Sequence, residues 1–132
     1  MSRKIFVNHA VADLPRAKAF FERLGFTFNP QFTNDEGACM VVSDSIHVML
    51  LVRPFFQTFT DKALSDPHQS TETILCVSLD SREEVDALVA NAVAAGGRDT
   101  REAKDHGFMY ERAIEDLDGH LWEFVHLTST PA

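Results

Sequence analysis

The order strand, helix, three strands occurs twice in this chain, and that duplication restricts the possible folds more than any single residue does. Lys4 to Val11 reads as a strand. Asp13 then caps a helix with Pro15 in its first turn. Leu14, Ala17, Phe20, Phe21 and Leu24 recur at helical spacing until Gly25 stops the pattern. Phe26 to Phe32 alternates aromatic and polar residues as a strand does, and Asn34-Asp35-Glu36-Gly37 is a turn. Ala38 to Ser43 and His47 to Arg53 are two more strands, joined by Asp44-Ser45. After a connection rich in Phe and Pro the order resumes. Thr73 to Asp80 is a strand, and Ser81 with Glu84 forms a capping box. Val85, Leu88, Val89, Ala92 and Val93 make one helical face that ends at Gly96-Gly97. Strands follow around Arg98 to Glu102, from Phe108 to Glu115 and from Leu121 to Leu127.

One such half cannot close a core alone. Two βαβββ modules side by side, about 3–53 and about 71–128 with a linker of about 54–70, predict an α+β fold. Its curved mixed sheet would carry helices on the convex face and a concave pocket on the other. The 132 residues would then form a single domain. A ferredoxin-like α+β sandwich shares the opening strand and helix and is the alternative.

Composition excludes several partners. The net charge of −8, with no basic cluster, disfavours nucleic acid and anionic membrane, which both require neutralising Lys and Arg. No apolar stretch is long enough for a signal peptide or a membrane span, so a cytoplasmic location is the default expectation. Cys39 and Cys76 both sit in apolar strand-like runs and read as buried, reduced thiols.

Two local motifs give the duplicated pattern a family likeness. The chain opens with Val11-Ala12-Asp13-Leu14, then the aromatic pair Phe20-Phe21 and Leu24-Gly25. It closes with Asp116-Leu117-Asp118-Gly119-His120-Leu121-Trp122-Glu123. The chain thereby resembles the vicinal-oxygen-chelate superfamily of glyoxalases, bleomycin-resistance proteins and extradiol dioxygenases, as a divergent glyoxalase-like member. It departs from the usual D-P-D-G hairpin in having Leu117 for the Pro.

The resemblance implies a metal site with one ligand from each of four strands. The first is a His seven residues before the Asp that caps helix one, which falls on Phe6. His9 is nearby, but an odd number of residues from Phe6, so it points to the helix side. The second lies in the fourth strand, whose middle offers only apolar side chains such as Met49; His47 starts that strand and is expected to be solvated. The third is a His six residues before Asp80, which falls on Ile74. The fourth, a Glu four residues after the hairpin Gly, is present as Glu123. One carboxylate among Phe, Ile and Met does not chelate a divalent ion well, so no metal and no other cofactor is expected.

The expected pocket then holds Phe6, Asn8 and Met49 from the first module and Ile74, Cys76 and Glu123 from the second. Family placement of the seventh strand adds Glu111, whereas a one-residue bulge would add Arg112 instead, and both stay open. Glu123 is the candidate acid/base group, with a satisfied structural carboxylate as its other reading. Phe55, Phe56 and Phe59 either fill the end of the core or cover the pocket. His68, His106, His120 and His126 show no ligand spacing and read as surface or structural.

Three functions fit these features. The first is a small-molecule binding protein of the bleomycin-resistance kind, which needs no catalytic metal. The second is a lyase- or isomerase-type enzyme of the glyoxalase sort using Glu123, with or without a divalent metal. The third is an accessory domain without ligand. Binding is placed first, and the resemblance implies a homodimer.

Overall fold

A computed structural model describes residues 3–128, which divide into two compact units meeting at Ser65 and Asp66. In the first unit β1 is Ile5–Val11, α1 Leu14–Arg23, β2 Thr27–Asn29, β3 Gly37–Val41, β4 Ile46–Val52 and α2 the short Arg53–Phe56. The second holds β5 Ile74–Ser78, α3 Arg82–Ala94, β6 Arg98–Asp105, β7 Met109–Glu115 and β8 Leu121–Leu127. Each unit builds a four-stranded mixed sheet, in the order β1-β4-β3-β2 and β5-β8-β7-β6. The first strand of each pairs parallel with the last, and the other pairings are antiparallel. The duplication expected from the sequence is therefore present as topology. The alternative, a ferredoxin-like sandwich, is not what forms.

The helices start and stop where the capping chemistry places them. The Asp13 side chain accepts from the Arg16 amide at 3.1 Å, and Pro15 occupies the first turn of α1. Phe20 and Phe21 on that helix are each 2% exposed, and Val48 and Leu50 of β4, which α1 packs on, are buried with them in the first unit's core. At α3 the Ser81 hydroxyl accepts from the Glu84 amide at 3.1 Å while the Glu84 carboxylate accepts from the Asp80 amide at 2.9 Å. Val85, Val89 and Ala92 of α3 are buried, as are Trp122, Phe124 and Ile114 of the sheet it covers.

The closing hairpin is pinned from inside. Buried Asp116 accepts from the Asp118 and His120 amides at 2.9 and 3.0 Å and from the Trp122 indole at 3.0 Å. Burial pushes its carboxyl above the ordinary aspartate value, against the pull of His120 and of these donors. Gly119 has φ +89°, and a Cβ there would stand 2.7 Å from the His68 backbone nitrogen, so the turn requires glycine on two counts.

Four expectations need correction. The strand expected over 26–32 is only Thr27–Asn29, because Pro30 lacks a ladder donor and Asn29 caps a 3₁₀ turn over Pro30–Phe32 by accepting from the Gln31 amide. The sixth strand runs on to Asp105 with two register shifts, since its charged letters carry no alternation to read. His47 is buried, not solvated: Phe6, its partner across the parallel β1–β4 pair, stacks flat on it with ring centroids 4.8 Å apart. Cys76 is exposed, because Leu75 and Val77 take the helix side of β5 and leave Cys76 on the uncovered face; Cys39 is buried as expected. The Phe-rich connection is α2 followed by a 3₁₀ turn over Gln57–Phe59, with Phe55 and Phe56 half-buried and Phe59 exposed.

Candidate functional site

Strand alternation sorts the second unit into a helix side and an open side. Trp122 and Phe124 face α3, so Glu123 between them points the other way. The open alternative in the seventh strand resolves by the same logic. Arg112 lies opposite Phe124 and donates to Asp86 of α3 at 3.0 Å and to Asp99 at 2.7 Å, which puts it on the helix side. Tyr110 also donates to Asp86, at 2.6 Å. Glu111 lies opposite Val125 and shares the open face with Glu123.

The predicted residues of this unit therefore come together. Ile74, Cys76, Glu111 and Glu123 occupy one sheet face, with Cys76 directly opposite Glu123 across the β5–β8 pair. Ile74 is 48% exposed and Cys76 is exposed too. Phe6, Asn8 and Met49 belong to the first unit, where they share one face of its sheet. There Asn8 lies opposite Met49, and Phe6 is 53% exposed. A recess in the first unit, lined by Lys18, Glu22, Phe26 and Phe28 among others, includes none of the predicted residues.

Arg101 is the residue of this face that the sequence reading missed. It lies opposite Ala113, which lies opposite Glu123, so one row runs Cys76, Glu123, Ala113, Arg101 across the four strands. Arg101 Nη2 donates to Glu123 Oε2 and stands 3.6 Å from Glu111 Oε1. Its place depends on a bulge. Asp99 lies opposite Ile114 but Arg101 lies opposite Ala113, so Thr100 is an extra residue that turns Arg101 onto the open face. Strict alternation from Asp99 would have sent it to the helix side. His106, expected to be surface or structural, brings Nε2 within 3.5 Å of Glu111 Oε1.

The electrostatics follow from this geometry. Burial raises the Cys76 thiol above its ordinary value, Glu123 and Glu111 raise it further, and Arg101 opposes them. Cys76 is thereby kept as a neutral thiol and is no activated nucleophile. The donor set does not fit a divalent ion. On the second unit's open face a carbon side chain stands at Ile74, and Glu123 is engaged by a guanidinium. Among the described residues no group of three His, Cys, Asp or Glu side chains could hold a metal ion.

A family model settles the relationship that the topology and the closing hairpin suggest. The model for the Glyoxalase/Bleomycin resistance protein/Dioxygenase superfamily matches residues 6–124. The chain belongs to this superfamily. Solved structures of the superfamily's fold align over nearly all of it. A hypothetical protein from S. aureus is 27% identical, with TM-score 0.80 and coverage of 96% of this chain and 95% of that one. A glyoxalase-related enzyme from Fulvimarina pelagi is 22% identical, with TM-score 0.83 and coverage of 99% and 92%. A bleomycin resistance determinant encoded on the transposon Tn5 is 18% identical, with TM-score 0.67 and coverage of 97% and 100%. The last two show the fold alone. No curated protein matches the chain.

Proposed function

We propose that this superfamily member binds a small organic ligand on the open sheet face of its second unit, without a metal ion. One observation carries the reading: exposed Ile74 and Cys76 lie beside a compact polar group of Glu123, Glu111 and Arg101. Apolar surface with a few convergent polar groups is the composition of small-molecule sites. The engagement of Glu123 Oε2 by Arg101, which occupies the acceptor that acid/base chemistry would use, supports binding over turnover. The protein is also proposed to work as a homodimer.

The test is a thermal-shift screen of apolar and planar small molecules in the presence of a chelator. A ligand at about 100 times its Kd should raise the melting temperature by about 10 °C. That shift should weaken in Glu123→Gln. The absence of any shift across the screen would favour an accessory domain. Turnover that is lost in Glu123→Gln while ligand affinity is kept would instead establish the lyase or isomerase reading.

A further inference from the structure

Glu111 of β7 and Glu123 of β8 approach the same guanidinium nitrogen, Arg101 Nη2. Their side chains are only 13% and 22% exposed, so neither charge is fully dissipated by bulk water. Two carboxylates at one spot need a counter-charge. In the metal-binding relatives that the sequence resembles, the Glu at the place of Glu123 meets a divalent ion. Here the Thr100 bulge delivers Arg101 to that carboxylate. We infer that Arg101 is the built-in cation of this site, neutralising Glu123 and Glu111 in place of a divalent ion and barring such an ion from them. The inference rests on the metal-free reading above and names the group responsible for it.

The physical chemistry is direct. A guanidinium is charged at every ordinary pH, and no chelator removes it. An ion approaching Glu123 would have to displace a partner already hydrogen-bonded there, against repulsion from a fixed positive charge a few ångströms away. Without Arg101, the two carboxylates would be left beside each other, with His106 Nε2 3.5 Å from Glu111 as the remaining nitrogen group. Hard cations bind through one or two carboxylates, with water completing the shell, so no third protein ligand is required for a gain in affinity.

The experiment is isothermal titration of Mn²⁺ alone into chelator-treated protein at neutral pH. Wild type should show no saturable binding. Arg101→Met, which keeps the aliphatic stem, should bind on the order of tenfold tighter than any residual wild-type affinity. Arg101→Met/Glu123→Gln should return to the wild-type level. Arg101→Lys keeps a positive charge and should still exclude the ion. Arg101→Gln provides a second neutral variant, and melting curves establish that each protein is folded. Saturable wild-type binding that disappears in Glu123→Gln would overturn both this inference and the metal-free reading. Neutral variants that bind no tighter than wild type would overturn the inference alone.

Discussion

Asp116 shows how much one buried side chain can fix. Its two oxygens accept from two backbone amides and from the Trp122 indole, so the hairpin and the largest core residue share one anchor. Asn would keep the shape but present an amide N–H₂ or lose one oxygen's acceptance, leaving either the indole or the amides without a partner. Asp116→Asn should therefore cost about 1–3 kcal/mol in denaturant unfolding, accompanied by a change in tryptophan emission. An unchanged midpoint would show that the turn holds itself. Glu123, four residues after Gly119, was named through the family resemblance, and alternation between buried Trp122 and Phe124 sets its face. Arg101 was not legible. Its position depends on an extra residue in a strand whose letters are charged throughout, where no buried set reports the register.

At the scale of elements, α3 is tied to its sheet by polar contacts as well as by packing. Asp86 accepts from Tyr110 and Arg112, while Arg82 pairs with Asp105 at 2.9 Å and lies over the Tyr110 ring. The Tyr110 hydrogen bond, helped by Arg112 and Arg82, holds the Asp86 carboxyl below the ordinary aspartate value. A depressed folded value means that the contribution is fully present above about pH 4, where the unfolded carboxyl titrates, and is lost as pH falls through the folded value. Asp86 is half-exposed, so solvent screening limits the effect to about 1 kcal/mol. Asp86→Asn should thus lower stability at pH 7 and converge with wild type in strong acid, as read from denaturant midpoints across that range. A constant deficit at all pH values would assign the loss to packing. Ser81→Ala should cost about 1 kcal/mol through loss of the cap on the Glu84 amide. Helices and their caps were readable because capping is local. The end of β2 was readable in principle too, since Pro30 marks it, but the aromatic alternation of Phe26, Phe28 and Phe32 outweighed that signal.

For the whole molecule, the two units repeat one topology with little repetition of letters. The first unit's sheet face carries Phe6, Asn8 and Met49 with Phe6 lying on His47, whereas the second carries carboxylates and a guanidinium. Topology was recoverable from the sequence because hydrophobic period and turn chemistry recur in both halves. Side-chain chemistry on the faces was recoverable only where alternation is unbroken. Among the described residues, no helix is long and apolar enough to cross a membrane. The net charge of −8 predicts that a labelled DNA duplex at physiological ionic strength will show no saturable change in fluorescence anisotropy. Light scattering at micromolar concentration checks the proposed homodimer, and a monomeric mass would reject it.

The extra residue at Thr100 makes the site depend on pairing register rather than on length. Were the strand to pair without its bulge, Thr100 would meet Ala113 and Arg101 would fall opposite Arg112 on the helix side, leaving Glu123 without its partner. Deleting Thr100 would instead set Arg101 directly after Asp99, still opposite Ala113, and keep the contact. The cation of this site is specified by an offset in the reading of one strand.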